Sequence, residues 1–205
     1  MRKRSRFLVL AGIATALFCG LAIAMQTNHL AGLDSAIRMG AHGLASPLLT
    51  QLAQQMSWFG DLAVLGLFGA VAVAVLLRRR HRDAALFLVL TMLGALALEN
   101  GLKFSFQRVR PPAFFGPEPW TYSFPSGHAL FSACFYGAIA IVTSRAMQST
   151  ARKAVVWIVT VALVLMIGGA RIYLGVHYPS DVMGGYLVAI AWIAMLLSAC
   201  LRKLS

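Results

Sequence analysis

The chain has 205 residues, of which 60% are hydrophobic and only 12% charged, and its mean hydropathy is +0.77. Soluble domains are nearer ~45–50% apolar, and here apolar runs of roughly 18 or more residues recur, so an ordinary soluble domain is excluded and an all-α, polytopic membrane protein in one domain is expected. The net charge of +12 would point to nucleic acid in a soluble chain, but it lies in short clusters that flank apolar runs, so membrane topology explains it and no nucleic-acid partner is expected.

Arg2, Lys3, Arg4 and Arg6 precede an apolar run from Phe7 to about Met25. Ala22-Ile23-Ala24 resembles a signal cleavage site, but the run is long for a signal core and reads as a retained first span. Residues 26–46 are polar and mixed, with Leu30, Leu33 and Ile37 at helical spacing; an interfacial helix and a plain loop both fit. Ser46-Pro47 has the form of an N-cap with proline in the first turn, so one helix is expected from there to Leu77. Its first part carries Gln51, Gln54, Gln55 and Asp61 and belongs outside the hydrocarbon or against other helices.

Arg78 to Asp83 form a basic loop, and Ala84 to about Leu102 the third span. Residues 104–127 are a proline-rich loop in which Trp120 and Tyr122 suit the membrane interface. Ala129–Thr143 is the fourth span, Arg145, Arg152 and Lys153 mark the next basic loop, Ala154–Ala170 is the fifth span, and Val182–Leu201 the sixth. Cys19, Cys134 and Cys200 sit far apart in apolar runs, as small core residues with neither disulfide nor metal spacing. No transmembrane barrel pattern of alternating strands is visible.

Six spans put the N-terminus, loop 78–83, loop 145–153 and the C-terminus on one side, and these carry 13 of the 18 Lys and Arg. That side is expected to be cytoplasmic. The other side holds Arg38, Lys103, Arg108, Arg110 and Arg171, and all but Arg38 lie in or beside three short polar stretches: residues 103–111 (KFSFQRVRP), 122–128 (YSFPSGH) and 171–181 (RIYLGVHYPSD). Positive charge tolerated only there is what a site for an anion needs.

Each residue of these stretches has a blander reading alone. Lys103 could snorkel, Arg108 and Arg110 could touch headgroups, Arg171 could cap a helix C-terminus, and Asp181 could sit in a helix first turn with Pro179. Together they fit phosphoryl chemistry. Asp181 can reach one nitrogen of His177 and leave the other free to attack. Ser126, Gly127 and His128 stand at a helix N-terminus whose backbone N–H groups can cradle phosphate. Lys103, Arg110 and Arg171 supply charge for its oxygens, and a second histidine can serve as general acid. No carboxylate cluster or HxxxE pairing suggests a metal, so metal-independent chemistry without a cofactor is expected. Glu99, one turn before Lys103, can pair with it.

Three spacings carry a resemblance: Lys103 with Arg110-Pro111, Pro125-Ser126-Gly127-His128, and Arg171 with His177 and Asp181. The chain resembles the type 2 phosphatidic acid phosphatase (PAP2) family over these motifs and, through its six spans, over nearly its whole length, with the motif-bearing core at about 84–201. Ala170 departs from the serine usual there. The resemblance implies that His177 forms a phosphohistidine, Asp181 orients it, His128 protonates the leaving oxygen, and Lys103, Arg110, Ser126, Gly127 and Arg171 bind phosphate. Arg108 lies outside the pattern and is expected to touch substrate or headgroups. The implied substrate is a membrane lipid phosphate or pyrophosphate of the undecaprenyl, phosphatidylglycerophosphate, phosphatidic acid or lipid A type. The site would lie on the periplasmic face of the bacterial inner membrane, with both termini cytoplasmic. A lipid-to-lipid phosphotransferase, vanadate-dependent haloperoxidase chemistry, and a non-catalytic lipid transporter or binding protein are the alternatives, the last disfavoured by the nearly intact motifs.

Overall fold

A computed structural model describes residues 2–200, which form eight helices and no strand. They are α1 (Arg2–Gln26), α2 (Ala31–Gly43), α3 (Pro47–Trp58), α4 (Leu62–Arg78), α5 (Arg82–Phe106), α6 (Gly127–Ala146), α7 (Thr150–Tyr173) and α8 (Pro179–Cys200). Five of these are long and apolar enough to cross a membrane, and α3 with α4 makes a sixth as a pair bent by 48°. The multi-pass, all-helical architecture expected from hydropathy is therefore present. The side chain of Cys200 and the basic pair Arg202 and Lys203 lie outside the described residues.

The single helix expected from Ser46 to Leu77 is two helices. Ser46 does cap the first, its Oγ accepting from the Leu49 N–H at 3.2 Å with Pro47 following. The chain then breaks at residues 59–61. Gly60 is pressed against a neighbour: a Cβ there would lie 2.5 Å from Ile167 Cγ2 and 3.2 Å from the His128 ring. Asp61 restarts the helix as N-cap of α4, its Oδ1 accepting from the Ala63 N–H at 2.8 Å. An aspartate that reads as a polar intrusion into an apolar run is a helix start.

Residues 26–46, left open between helix and loop, contain helix α2. Its Leu33, Ile37 and Met39 are exposed while Asp34 is buried. The spans also run further than the apolar runs, as in α5, which begins at Arg82 and ends at Phe106. Hydropathy marks the stretch suited to hydrocarbon; backbone hydrogen bonding carries the helix on into polar surroundings.

The core surrounds α6, which buries Leu130, Phe131, Cys134, Phe135 and Ala138 and packs against α5, α7 and α8. Helix α1 lies along α8. Its Phe18 stacks on Phe124 at 5.5 Å, and Phe106 of α5 meets the same ring edge-on at 5.0 Å. The first span thus buttresses the loop that leads into Pro125–His128. Leu17, Leu93, Ile158 and Leu165 remain exposed, as an apolar belt facing lipid requires. The C-terminal ends of α5 and α7 and the N-terminal ends of α4, α6 and α8 meet at one end of the bundle, which is where the three polar stretches lie.

The α6–α8 crossing at that end depends on closeness. A Cβ on Gly185 would stand 2.6 Å from the Ser126 carbonyl oxygen, 3.0 Å from Ala129 Cβ and 3.1 Å from the Leu130 nitrogen. Backbone atoms cannot rotate away as a side chain can, so Gly185→Ala should force the two helices apart. We expect a loss of about 1–3 kcal/mol, seen as a lower thermal midpoint in detergent. Gly66→Ala, at a helical position with nothing within 4 Å, should leave the midpoint unchanged or raise it.

Candidate active site

Lys103 stands in the last turn of α5. The helix ends at Gln107, whose left-handed conformation (φ 46°, ψ 33°) turns the chain outward while its N–H donates to the Lys103 carbonyl at 2.9 Å. The following loop folds back on itself and is tied across its width. The Ser123 N–H donates to the Arg108 carbonyl at 2.9 Å, and Arg110 donates through Nε to the Thr121 carbonyl (2.6 Å) and through Nη2 to Thr121 Oγ1 (2.9 Å). The loop is also fastened to the end of α7, where the Phe114 and Phe115 N–H groups both donate to the Leu174 carbonyl. Gly175 beside it has φ 81°, and a Cβ there would meet the Phe114 backbone nitrogen, so glycine is required on two counts. Arg38 of α2 holds the same loop, bonding the Pro112 and Gly175 carbonyls and lying over the Phe114 ring.

His177 follows directly and is 1% exposed. Its Nδ1 lies 3.4 Å from Asp181 Oδ2, and its Nε2 lies 2.9 Å from Arg110 Nη1. Arginine can only donate and an ionised carboxylate can only accept, so the ring carries its proton on Nδ1 and presents a lone pair on Nε2. Burial holds the imidazole well below its ordinary value, at about 4; the Asp181 carboxylate works against that fall and the Arg110 and Arg171 charges add to it. His177 is therefore a neutral base at physiological pH. Asp181 is fully buried, and its Oδ2 also accepts from the Tyr178 N–H at 2.8 Å.

A cavity of about 730 Å³ opens in front of this pair. Lys103, Arg110, Gly127, His128, Arg171 and His177 line it; Asp181 stands behind His177. Ser126 heads α6, with its N–H on the Asp181 carbonyl at 2.9 Å. All eight predicted site residues are thus at one place, contributed by α5, α6, α7, α8 and two loops. Arg171 donates from Nη1 to Ser57 Oγ at 2.5 Å, whereas its Nε and the Ser126 Oγ are buried without a protein partner. Buried polar atoms seldom go unpaired, so these two are positioned for a polar guest. The Lys103 ammonium pairs with Glu99 at 2.5 Å, as the one-turn spacing predicts. The Glu99 carboxylate also rests on Gly127, where a Cβ would come within 2.8 Å of Oε1. The arrangement offers three cations, a helix N-terminus and two histidines to one tetrahedral anion. Among the described residues no group of three or more His, Cys, Asp or Glu is placed to hold a metal ion.

Arg108 departs from expectation. It does not reach toward substrate or headgroups: it donates from Nη1 to Asp181 Oδ1 (2.5 Å) and Ser180 Oγ (2.7 Å), and from Nη2 to Asp34 Oδ2 (2.8 Å). Sequence reasoning also missed Asp34, Ser180 and Thr121. Thr121 carries no signal beyond being polar in a loop. Asp34 does carry one: it is the sole acidic residue on an otherwise apolar and basic helix.

Comparison with known proteins gives the family. The PAP2 superfamily model matches residues 84–204. Phosphatidylglycerophosphatase B of Bacillus subtilis is 31% identical over 173 residues, covering 82% of this chain and 84% of that protein. An undecaprenyl-diphosphatase of Sulfolobus acidocaldarius is 30% identical over 132 residues, 62% of this chain and 59% of that protein. The crystal structure of a transmembrane PAP2-type phosphatidylglycerolphosphate phosphatase from Bacillus subtilis superposes with a TM-score of 0.85 at 27% identity, over 95% of this chain and 96% of that one. With a family model spanning more than half of its residues and a relative alike over four fifths of both chains, the chain belongs to the PAP2 superfamily.

Proposed function

We propose that this integral-membrane lipid phosphatase works through a phosphohistidine on His177. The observation that carries the reading is the pairing at His177: a proton on Nδ1 against Asp181 and a lone pair on Nε2 facing a cationic cavity. Nε2 attacks phosphorus and the bond to the lipid oxygen breaks. His128 gives its proton to that oxygen. Arg110, which donates a hydrogen bond to Nε2 in the free enzyme, keeps its proton and redirects that hydrogen bond to a phosphoryl oxygen, so that the incoming anion itself unmasks the nucleophile. Lys103, Arg171, Ser126 and the Gly127 N–H share the charge on the equatorial oxygens. Water, losing a proton to His128, then attacks phosphorus, the N–P bond breaks, and inorganic phosphate leaves. No step calls for a metal.

The substrate class is a lipid monophosphate or diphosphate, the chemistry named for the two relatives above. The distribution of basic residues supports a site on the outer face: Arg78, Arg79, Arg80, Arg82, Arg145, Arg152 and Lys153 all belong to the end of the bundle opposite the cavity, and that end would be cytoplasmic.

Detergent-solubilised protein should release phosphate from a short-chain phosphatidic acid or farnesyl diphosphate with EDTA present; strict dependence on an added divalent ion would sink the mechanism. With 32P-labelled substrate and acid-free quenching, label should remain on the protein and vanish in His177→Ala together with turnover. Label that passes to an added lipid alcohol faster than to water would make the protein a phosphotransferase. Arg171→Ala should weaken inhibition by orthovanadate and lower kcat, each by about 10²-fold, the size of the loss when one preorganised donor to a developing oxyanion is removed. Because His177 is neutral down to about pH 4, the enzyme's own contribution to kcat/KM should hold at pH 5.5, where an ordinary histidine near 6.5 would be mostly protonated. Protonation of the nucleophile with a midpoint above 6 would contradict this.

A further inference from the structure

The proposed nucleophile is backed by more than Asp181. Behind that carboxylate lies a second, Asp34, from the short helix α2 and far from every motif stretch. It is 2% exposed. Burying a carboxylate is costly unless it is paired, and Asp34 is the only buried side chain of α2, so its partners are what the helix is held by. Asp34 uses both oxygens. Oδ1 accepts from the Ser180 N–H at 3.0 Å; Oδ2 accepts from Ser180 Oγ at 2.6 Å and from Arg108 Nη2 at 2.8 Å. The other arm of the same guanidinium donates to Asp181 Oδ1 at 2.5 Å. Arg108 is further fixed by the Tyr178 ring, 4.1 Å beneath its Cζ.

One guanidinium is thus shared by two carboxylates, and the oxygens of Asp181 are divided between tasks. Oδ1 belongs to Arg108, and Oδ2 belongs to His177 Nδ1 and the Tyr178 N–H. Without Arg108, nothing would fix the rotation of the Asp181 carboxylate from the Oδ1 side. Without Asp34, the whole Arg108 charge would fall on Asp181. We infer that Asp34 and Arg108 are positioning residues for the phosphoryl-transfer step, a clamp reaching from α2 through Asp181 to His177.

The two halves of the clamp have opposite electrostatic senses. Removing the Arg108 charge leaves Asp181 more negative beside His177 and makes the imidazole easier to protonate. Removing the Asp34 charge gives Asp181 a fuller counter-ion and makes it harder. The remaining charged groups around His177 are Arg110 from the loop, Arg171 from α7 and, across the cavity, Lys103 and Glu99 of α5, His128 of α6 and Asp61 at the start of α4. None of these is altered in either variant. The inference rests on His177 as nucleophile.

The test compares Arg108→Gln and Asp34→Asn with wild type, on a short-chain phosphatidic acid and on farnesyl diphosphate, from pH 7.5 to 4.5. The readout is the ratio of variant to wild-type kcat/KM at each pH. In that ratio the ionisation of the substrate cancels, and so does a constant loss of folded protein. For Arg108→Gln we expect at least a tenfold fall in kcat at pH 7.5. Its ratio should drop a further threefold or so by pH 4.5, the size of an upward shift of about one unit at His177. For Asp34→Asn we expect a lower kcat at nearly unchanged KM and a ratio that holds or rises as pH falls. The double variant should behave as Arg108→Gln alone, because Asp34 acts through Arg108. Arg108→Lys, which keeps the charge but cannot span both carboxylates, should restore the pH response but not the full kcat. Flat ratios for both single variants, ratios that fall together, or additive losses in the double variant would overturn the clamp. Label trapped on His177→Ala would instead overturn the reading beneath it.

Discussion

An ionised carboxylate at the end of an apolar bundle is tolerable only if both its oxygens are held, and Asp181 is where this protein meets that demand. It is fully buried, yet Arg108, His177 and the Tyr178 N–H all reach its side chain, and its carbonyl takes the Ser126 N–H. That single residue therefore fixes the imidazole, the loop that carries Arg108 and Arg110, and the start of α6. Three stretches distant in sequence are joined at one group. Remove the charge and the His177 imidazole, the loop of Arg108 and Arg110 and the start of α6 lose their common anchor.

Much of this was legible from the chain. Apolar length gave the spans, because hydrocarbon demands a minimum run whatever else the sequence does. The motif spacings pointed to eight residues that the fold gathers at one mouth, because Lys103, His128, Arg171 and Asp181 each sit at a helix end and helix ends at one mouth are close in space. The pairing of Glu99 with Lys103 followed from one turn of helix. The break at Gly60 was not legible, since nothing local distinguishes a capping aspartate from a polar residue inside a helix. What decides it is a tertiary contact, the His128 ring and Ile167 packed where a side chain would be.

Asp34 and Arg108 were missed for a related reason. Arg108 lies among other arginines in a loop where headgroup contact is the simplest reading, and Asp34 lies in a segment that fits helix or loop equally well. Neither residue has a partner within its own element. A buried ion pair between two ambiguous segments leaves no periodicity to detect; it exists only once the fold brings α2 against the start of α8.

The cavity itself follows from how charge is distributed at that mouth. Five of the chain's six acidic residues lie at or near it, and each is engaged: Asp34 and Asp181 by Arg108, Glu99 by Lys103, Asp61 by the α4 cap, and Glu118 by the Ala113 N–H. Among the described residues Arg110 and Arg171 have no carboxylate within ion-pairing distance, being held by carbonyl oxygens, hydroxyls and an imidazole instead. Neutral partners position a guanidinium without cancelling its charge. The acids thus build the scaffold and leave two arginines, oriented but without a carboxylate in direct contact, on the wall from which His177 faces the cavity. On the proposed function, a dianionic phosphoryl group would meet those donors at little cost in reorganisation, because they are already in place.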